Sequence, residues 1–171
     1  MMIILGYIFT ALNYLLRCVG RFMYHKKDML FIDLLAEILT IIALYCLGSI
    51  SGTLSFAVEF LVLIAANIKE RLHKRWTLLY ILFQTLYTLI PIYTYQGVSS
   101  ILVFITASIA LCSTWWLVPQ KMRLLGCFNC TVFLIYQISI KNWAGLLEIF
   151  IVLSNFFSYL KYRGKKYPVK S

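Results

Sequence analysis

Val98-Ser-Ser-Ile-Leu-Val-Phe-Ile-Thr-Ala-Ser-Ile-Ala-Leu-Cys-Ser-Thr-Trp-Trp-Leu-Val-Pro-Gln-Lys-Met-Arg123 decides the fold. No charge interrupts it before Lys121, and about 20 apolar residues are enough to cross a hydrocarbon core of roughly 30 Å as a helix. Apolarity is continuous rather than alternating, which excludes a lipid-facing strand. Lys121 and Arg123 then close the stretch with positive charge. Six further stretches read the same way, and together they predict helices over 2–19, 29–47, 53–68, 76–93, 98–118, 122–140 and 143–162.

Composition agrees with that count. Of 171 residues, 62% are apolar and 13% charged, so the chain is no ordinary soluble domain. Seven helices of about 20 residues leave almost nothing for a second domain. The third predicted segment, 53–68, is the shortest, which mild bilayer thinning accommodates.

Positive charge orients the helices. Of the 16 Lys and Arg residues, all but Lys141 fall in every second gap. Arg17, Arg21, Lys26 and Lys27 follow the first segment, and Lys69, Arg71, Lys74 and Arg75 follow the third. Lys121 and Arg123 follow the fifth. Lys161, Arg163, Lys165, Lys166 and Lys170 close the chain. Retention of Lys and Arg on the cytoplasmic face produces such an asymmetry. The expected topology is therefore N-terminus outside and C-terminus cytoplasmic. Met1–Leu16 has its charges after the apolar run rather than before it, so a retained helix is expected, not a signal peptide.

The gaps reveal internal order. Gly48-Ser-Ile-Ser-Gly52 is a tight turn, and Lys141-Asn-Trp143 is another, while the alternate gaps are basic. Segments one to three and five to seven thus follow one plan, with segment four as an inversion linker. The expectation is an all-α polytopic membrane protein of seven transmembrane helices in a 3+1+3 parallel-repeat arrangement. Its divisions are a first repeat over 1–75, a linker helix over 76–97, a second repeat over 98–163 and a basic cytoplasmic tail over 164–171.

Four acids stand inside apolar segments: Asp33, Glu37, Glu59 and Glu148. A charge at mid-helix costs about 2.5–3.5 kcal/mol on insertion scales, so such groups face the bundle interior, carry a proton or have a partner. Glu59 and Glu148 each precede an asparagine on the same helix, Asn67 and Asn155, about two turns on. They are the candidate substrate-binding pair, with Asn155 beside Glu148. Asn142 and Trp143 are candidate contacts at the outer mouth, below which Glu148 lies. Interhelical hydrogen bonding, worth under about 2 kcal/mol per pair, is the structural alternative for all of these. Asp33, one turn inside the cytoplasmic end, is expected to pair with Lys26, Lys27 or Arg123. Pro119 is expected to bend the end of the fifth helix and act as a hinge.

Other chemistries find little support. Net charge of +10 sits at helix ends, where it meets anionic headgroups, so nucleic acid is excluded as a partner. Cys127-Phe-Asn-Cys130 has no second pair and no nearby His, so no metal site is expected. Cys18, Cys46 and Cys112 read as small packing residues. His25 and His73 lie in basic loops. No nucleophile sits beside a base, so no enzyme is expected, and no cofactor. Trp76, Tyr80, Tyr93, Tyr95, Tyr159 and Tyr162 suit the aromatic belts of a bilayer.

The layout with Pro119-Gln120 resembles the PQ-loop superfamily, which includes the SWEET sugar transporters; the first repeat has no such pair near Arg17–Arg21. Ser113-Thr114-Trp115, Lys121-Met122-Arg123, Trp143-Ala144-Gly145, Glu148 with Asn155, Arg163-Gly164 and Leu47-Gly48 are similar to the YgjV-type bacterial inner membrane proteins. That second resemblance covers nearly the whole chain and implies a multi-pass protein of the bacterial inner membrane. It assigns no role to Glu59. The expected function is a small SWEET-like secondary transporter or facilitator of a polar metabolite. The alternative is a non-transporting accessory or regulatory membrane protein. Partners would be the bilayer, a small polar metabolite and, in a homo-oligomer, a second copy of the chain.

Overall fold

The computed structural model describes residues 2–72, 76–95 and 97–163. His73, Lys74, Arg75, Gln96 and the basic tail over 164–171 lie outside the described residues. Within them the chain is helical, with no strand. The helices are α1 (Met2–Arg21), α2 (Lys26–Cys46), α3 (Ile50–Leu72), α4 (Thr77–Tyr93), α5 (Val98–Trp116), α6 (Pro119–Ser139) and α7 (Glu148–Tyr162). A 3-10 turn over Trp143–Leu147 leads directly into α7. Six of these spans are long and apolar enough to cross a membrane.

Two boundaries differ from expectation for identifiable reasons. The third helix is not short: at 23 residues it is the longest, because the Gly48 turn is complete by Ser49 and α3 starts at once. With the 3-10 turn counted with α7, the shortest span is α4, with 17 residues and Pro91 in its last turn, or about 25 Å at 1.5 Å per residue. Pro119 does not bend α5. That helix ends at Trp116, residues 117 and 118 are extended, and Pro119 opens α6, where its missing N–H costs nothing.

The two tight turns are built alike. Ser49 N–H reaches Leu44 O at 3.0 Å and Gly48 N–H reaches Tyr45 O at 3.1 Å, with Gly48 at φ 76°. Asn142 N–H reaches Gln137 O at 2.9 Å and Lys141 N–H reaches Ile138 O at 3.0 Å, with Lys141 at φ 57°. Both are Schellman caps, which satisfy helix-end carbonyls through one left-handed residue. Lys141 holds that conformation despite its Cβ, and it is the one non-Gly described residue with positive φ.

Packing closes a ring. α1 packs on α2, α2 on α3, α3 on α5, α5 on α6, α6 on α7, and α7 returns to α1. α4 stands outside the ring against α3 and α5. The surface is apolar, with Leu15, Leu78, Ile92, Phe128 and Phe157 exposed, whereas Thr10, Asn13, Glu37, Ser55, Glu59 and Glu148 are buried. Soluble proteins show the opposite distribution; an apolar exterior over a polar interior suits a bilayer as solvent.

Two apolar clusters lie along the interior. Leu30, Val62, Leu111, Trp115 and Met122 form one. Leu44, Val103, Phe133 and Tyr136 form the other, near the Gly48 turn. At the α5 C-terminus Lys69 donates to Trp115 O and sits 4.8 Å from the Trp115 ring centroid, a cation where the helix end is electronegative.

Candidate functional site

All six ring helices contribute to one cavity of about 450 Å³ of atom-free space, its mouth included. Its polar lining is Arg17 of α1, Glu37 of α2, Ser55 and Glu59 of α3, Thr106 of α5, Asn129 of α6 and Glu148 of α7. Ala107 and Ala110 of α5 keep the wall low, and Phe56 and Phe133 supply its apolar side. Those two rings stand 5.2 Å apart.

Arg17 is the residue that the charge pattern concealed. Instead of entering a loop, it stays within α1 and turns into the bundle. Its Nε donates to Asn13 Oδ1, one turn back, at 2.8 Å, and Nη2 donates to Glu37 Oε2. Glu37 is 1% exposed, and the contact with Arg17 offsets part of the cost of burying its carboxyl group. The polar Asn13–Arg17 pair at i,i+4 inside an apolar segment was the available signal.

Asp33 pairs with Arg21 at 2.7 Å, not with Lys26, Lys27 or Arg123. The short loop over 22–25 sets α1 and α2 side by side, so the last residue of α1 meets the second turn of α2. Lys26 instead faces Glu70 at 3.4 Å. Arg123, fully buried, donates to Met23 O at 2.6 Å and Arg21 O at 3.3 Å and stacks on Tyr162. Ser158 also donates to Arg21 O, and Tyr162 donates to Phe22 O at 2.8 Å. The loop between α1 and α2 is thereby tied to α6 and α7.

Glu59 and Glu148 both line the cavity. Tyr87 of α4 reaches between α3 and α5 to donate to Glu59 Oε2. Glu148 begins α7, where Tyr14 and Cys130 offer hydrogen bonds to its carboxyl group, yet Oε2 is without a partner. Its position depends on Gly145: a Cβ there would lie 2.4 Å from Gln137 Cβ, so only glycine lets the 3-10 turn lie against α6. Gly52 has the same close approach, since its Cβ would lie 2.1 Å from the Tyr136 hydroxyl.

The amides are placed elsewhere. Asn155 is buried behind the cavity wall, with its side chain against Gly126 and Nδ2 3.8 Å from Cys130 Sγ. Asn67 bonds to Leu63 O of its own helix at 3.0 Å. Asn142 is buried at the second turn, where Nδ2 donates to Gln137 Oε1 at 2.9 Å and Thr10 Oγ1 at 3.3 Å. Trp143 is 60% exposed. Neither Asn142 nor Trp143 is among the lining residues of the cavity. Among the described residues no group of three or more His, Cys, Asp or Glu is placed to hold a metal ion.

A family model described as bacterial inner membrane protein, Imp-YgjV, matches residues 4–166. The chain belongs to this family. No curated protein and no solved structure matches it. Membership, together with six helices able to span, makes the YgjV-family chain a multi-pass protein of the bacterial inner membrane.

Proposed function

We propose that this protein is a small SWEET-like secondary transporter or facilitator that carries a polar metabolite across the bacterial inner membrane through its central cavity. One observation carries the reading: three carboxylates and a guanidinium line a single cavity inside a ring of membrane-spanning helices. Insertion of such groups is costly, and they persist where they serve a solute or proton path.

A 3+1+3 architecture is part of the proposal. Aligning the Gly48 cap with the Lys141 cap also aligns Gly52 with Gly145, the two glycines at close helix contacts. The same alignment pairs Arg17 with Ala110, Glu37 with Cys130 and Ser55 with Glu148, and all six line the cavity. Glu148 thus corresponds to Ser55 rather than to Glu59. α4, outside the ring, is the linker. The bonds from Arg123, Ser158 and Tyr162 to the first loop and the Ser49–Tyr136 contact of 2.7 Å join the halves at opposite ends, as the two closures of a rocking mechanism would. Arg21, Lys26, Lys69 and Arg123 share one end of the bundle, which the positive-inside rule assigns to the cytoplasm.

Uptake into liposomes containing the purified protein tests the function. Wild type is expected to accumulate at least one solute from a metabolite panel, and Glu148→Gln to lower that uptake. If Glu148→Gln changes neither uptake nor ligand-induced thermal stabilisation, the cavity is not the path.

A further inference from the structure

We infer that the cavity takes a small organic cation bearing at least two N–H donors, a primary amine in its ammonium form, with Glu148 as its main anchor. This rests on the transport site proposed above and specifies its substrate class.

Charge comes first. Arg17 already answers Glu37, and among the described residues no ion pair reaches Glu59 or Glu148. Tyr87 serves Glu59. The cavity therefore presents more anionic than cationic capacity, concentrated on Glu148.

Hydrogen-bonding capacity points the same way. Glu37 Oε1, Ser55 Oγ, Glu148 Oε2 and Asn129 Oδ1 have no partner, and the first three residues are only 1%, 1% and 3% exposed. Two of the four atoms are carboxyl oxygens, one is an amide oxygen, and the fourth is a hydroxyl, which also accepts. Buried polar atoms without partners are uncommon and costly. Of the Arg17 donors, Nε and Nη2 are occupied by Asn13 and Glu37. A carboxylate or phosphate would meet the unpartnered carboxyl oxygens of Glu37 and Glu148 there, acceptor against acceptor. An ammonium group, with three donors and no acceptor, is matched to acceptors of this kind.

The remaining wall selects against an inorganic ion. Phe56 and Phe133 face the same space, suiting a short carbon chain and a cation near aromatic faces. A divalent cation needs oxygen ligands converging on one point, and among the described residues no three of the acids are placed to hold one.

Thermal-shift and calorimetric titration of the purified wild-type protein would use four probes of one chain length: a primary alkylammonium, its trimethylammonium analogue, the alcohol and the carboxylate. The ammonium is expected to bind, and the trimethylammonium, lacking N–H donors, to bind about tenfold or more weakly, as expected for lost charged hydrogen bonds. Alcohol and carboxylate are expected to give no shift. Glu148→Gln, close to isosteric, should weaken ammonium binding by about ten- to a hundredfold while the unliganded protein keeps its unfolding temperature. Equal binding of the trimethyl analogue, tighter binding of the carboxylate or alcohol, or no binding of the ammonium would each overturn the inference. Uptake of a neutral or anionic solute without ammonium binding would overturn it too, yet leave transport standing. Ammonium binding without uptake of any solute would support it and sink transport instead.

Discussion

Removing the Arg17 guanidinium isolates the most expensive interaction in the bundle. Glu37 Oε2 has its hydrogen bond from Arg17, Oε1 has no partner, and the residue is 1% exposed. Arg17→Met therefore leaves a buried carboxyl group with no cation, and also strands Asn13 Oδ1. Breaking one side of a buried pair costs about 3–5 kcal/mol, with the upper end limited because the orphaned carboxyl can take up a proton. Arg17→Met/Glu37→Met removes both charges and leaves only the Asn13 acceptor. That orphan costs about 1–3 kcal/mol, so the double variant should recover about 2 kcal/mol of the single variant's loss. Reversible unfolding in bicelles, run as a double-mutant cycle, measures the difference. A double variant no more stable than Arg17→Met would refute the claim that Arg17 serves to satisfy Glu37.

Three further outcomes follow from the same geometry. Gly145→Ala forces a Cβ to within 2.4 Å of Gln137 Cβ and should destabilise by about 1–3 kcal/mol, with weaker solute binding because Glu148 follows three residues later; unchanged stability and binding would contradict the packing. Lys141→Gly relieves the left-handed strain at φ 57° and should stabilise by about 1 kcal/mol, read from the same unfolding transition. Arg123→Leu strands the Met23 carbonyl, removes one of the two donors to Arg21 O and should destabilise by about 2 kcal/mol or more. The exposed Lys121→Leu should stay within about 0.5 kcal/mol, and equal effects would refute the tie to the first loop.

Which features the sequence made legible follows from their physics. The helices announce themselves through apolar length, and the basic gaps and the Gly48 turn mark their ends, because insertion and left-handed turns act on local sequence. Glu59 and Glu148 stood out because a charge in an apolar segment is costly wherever it points. Ring order is different: nothing local says that α3 meets α5 while α4 stays outside. Arg17 read as a loop charge because hydropathy averages over a segment and loses the direction of one side chain. Asp33 found Arg21 because the short loop over 22–25 sets the end of α1 beside α2, while Lys26 faces Glu70 and Arg123 faces the loop carbonyls. Pro119 signalled a bend by its type, but its effect depends on which helix contains it, and as the first residue of α6 it bends none. Lys141 concealed a cap that Gly48 displays openly, since lysine is seldom found at positive φ.

Access of water-borne reagents to Cys130 tests the central claim most directly. Cys130 lines the cavity with Glu148, and it is one of five free cysteines. With Cys18, Cys46, Cys112 and Cys127 replaced by alanine, a small water-soluble thiol reagent should modify Cys130 in intact vesicles. A solute that fills the cavity should slow that reaction. Modification only after the bundle is unfolded would mean a closed, dry core, and would contradict a solute path through the ring.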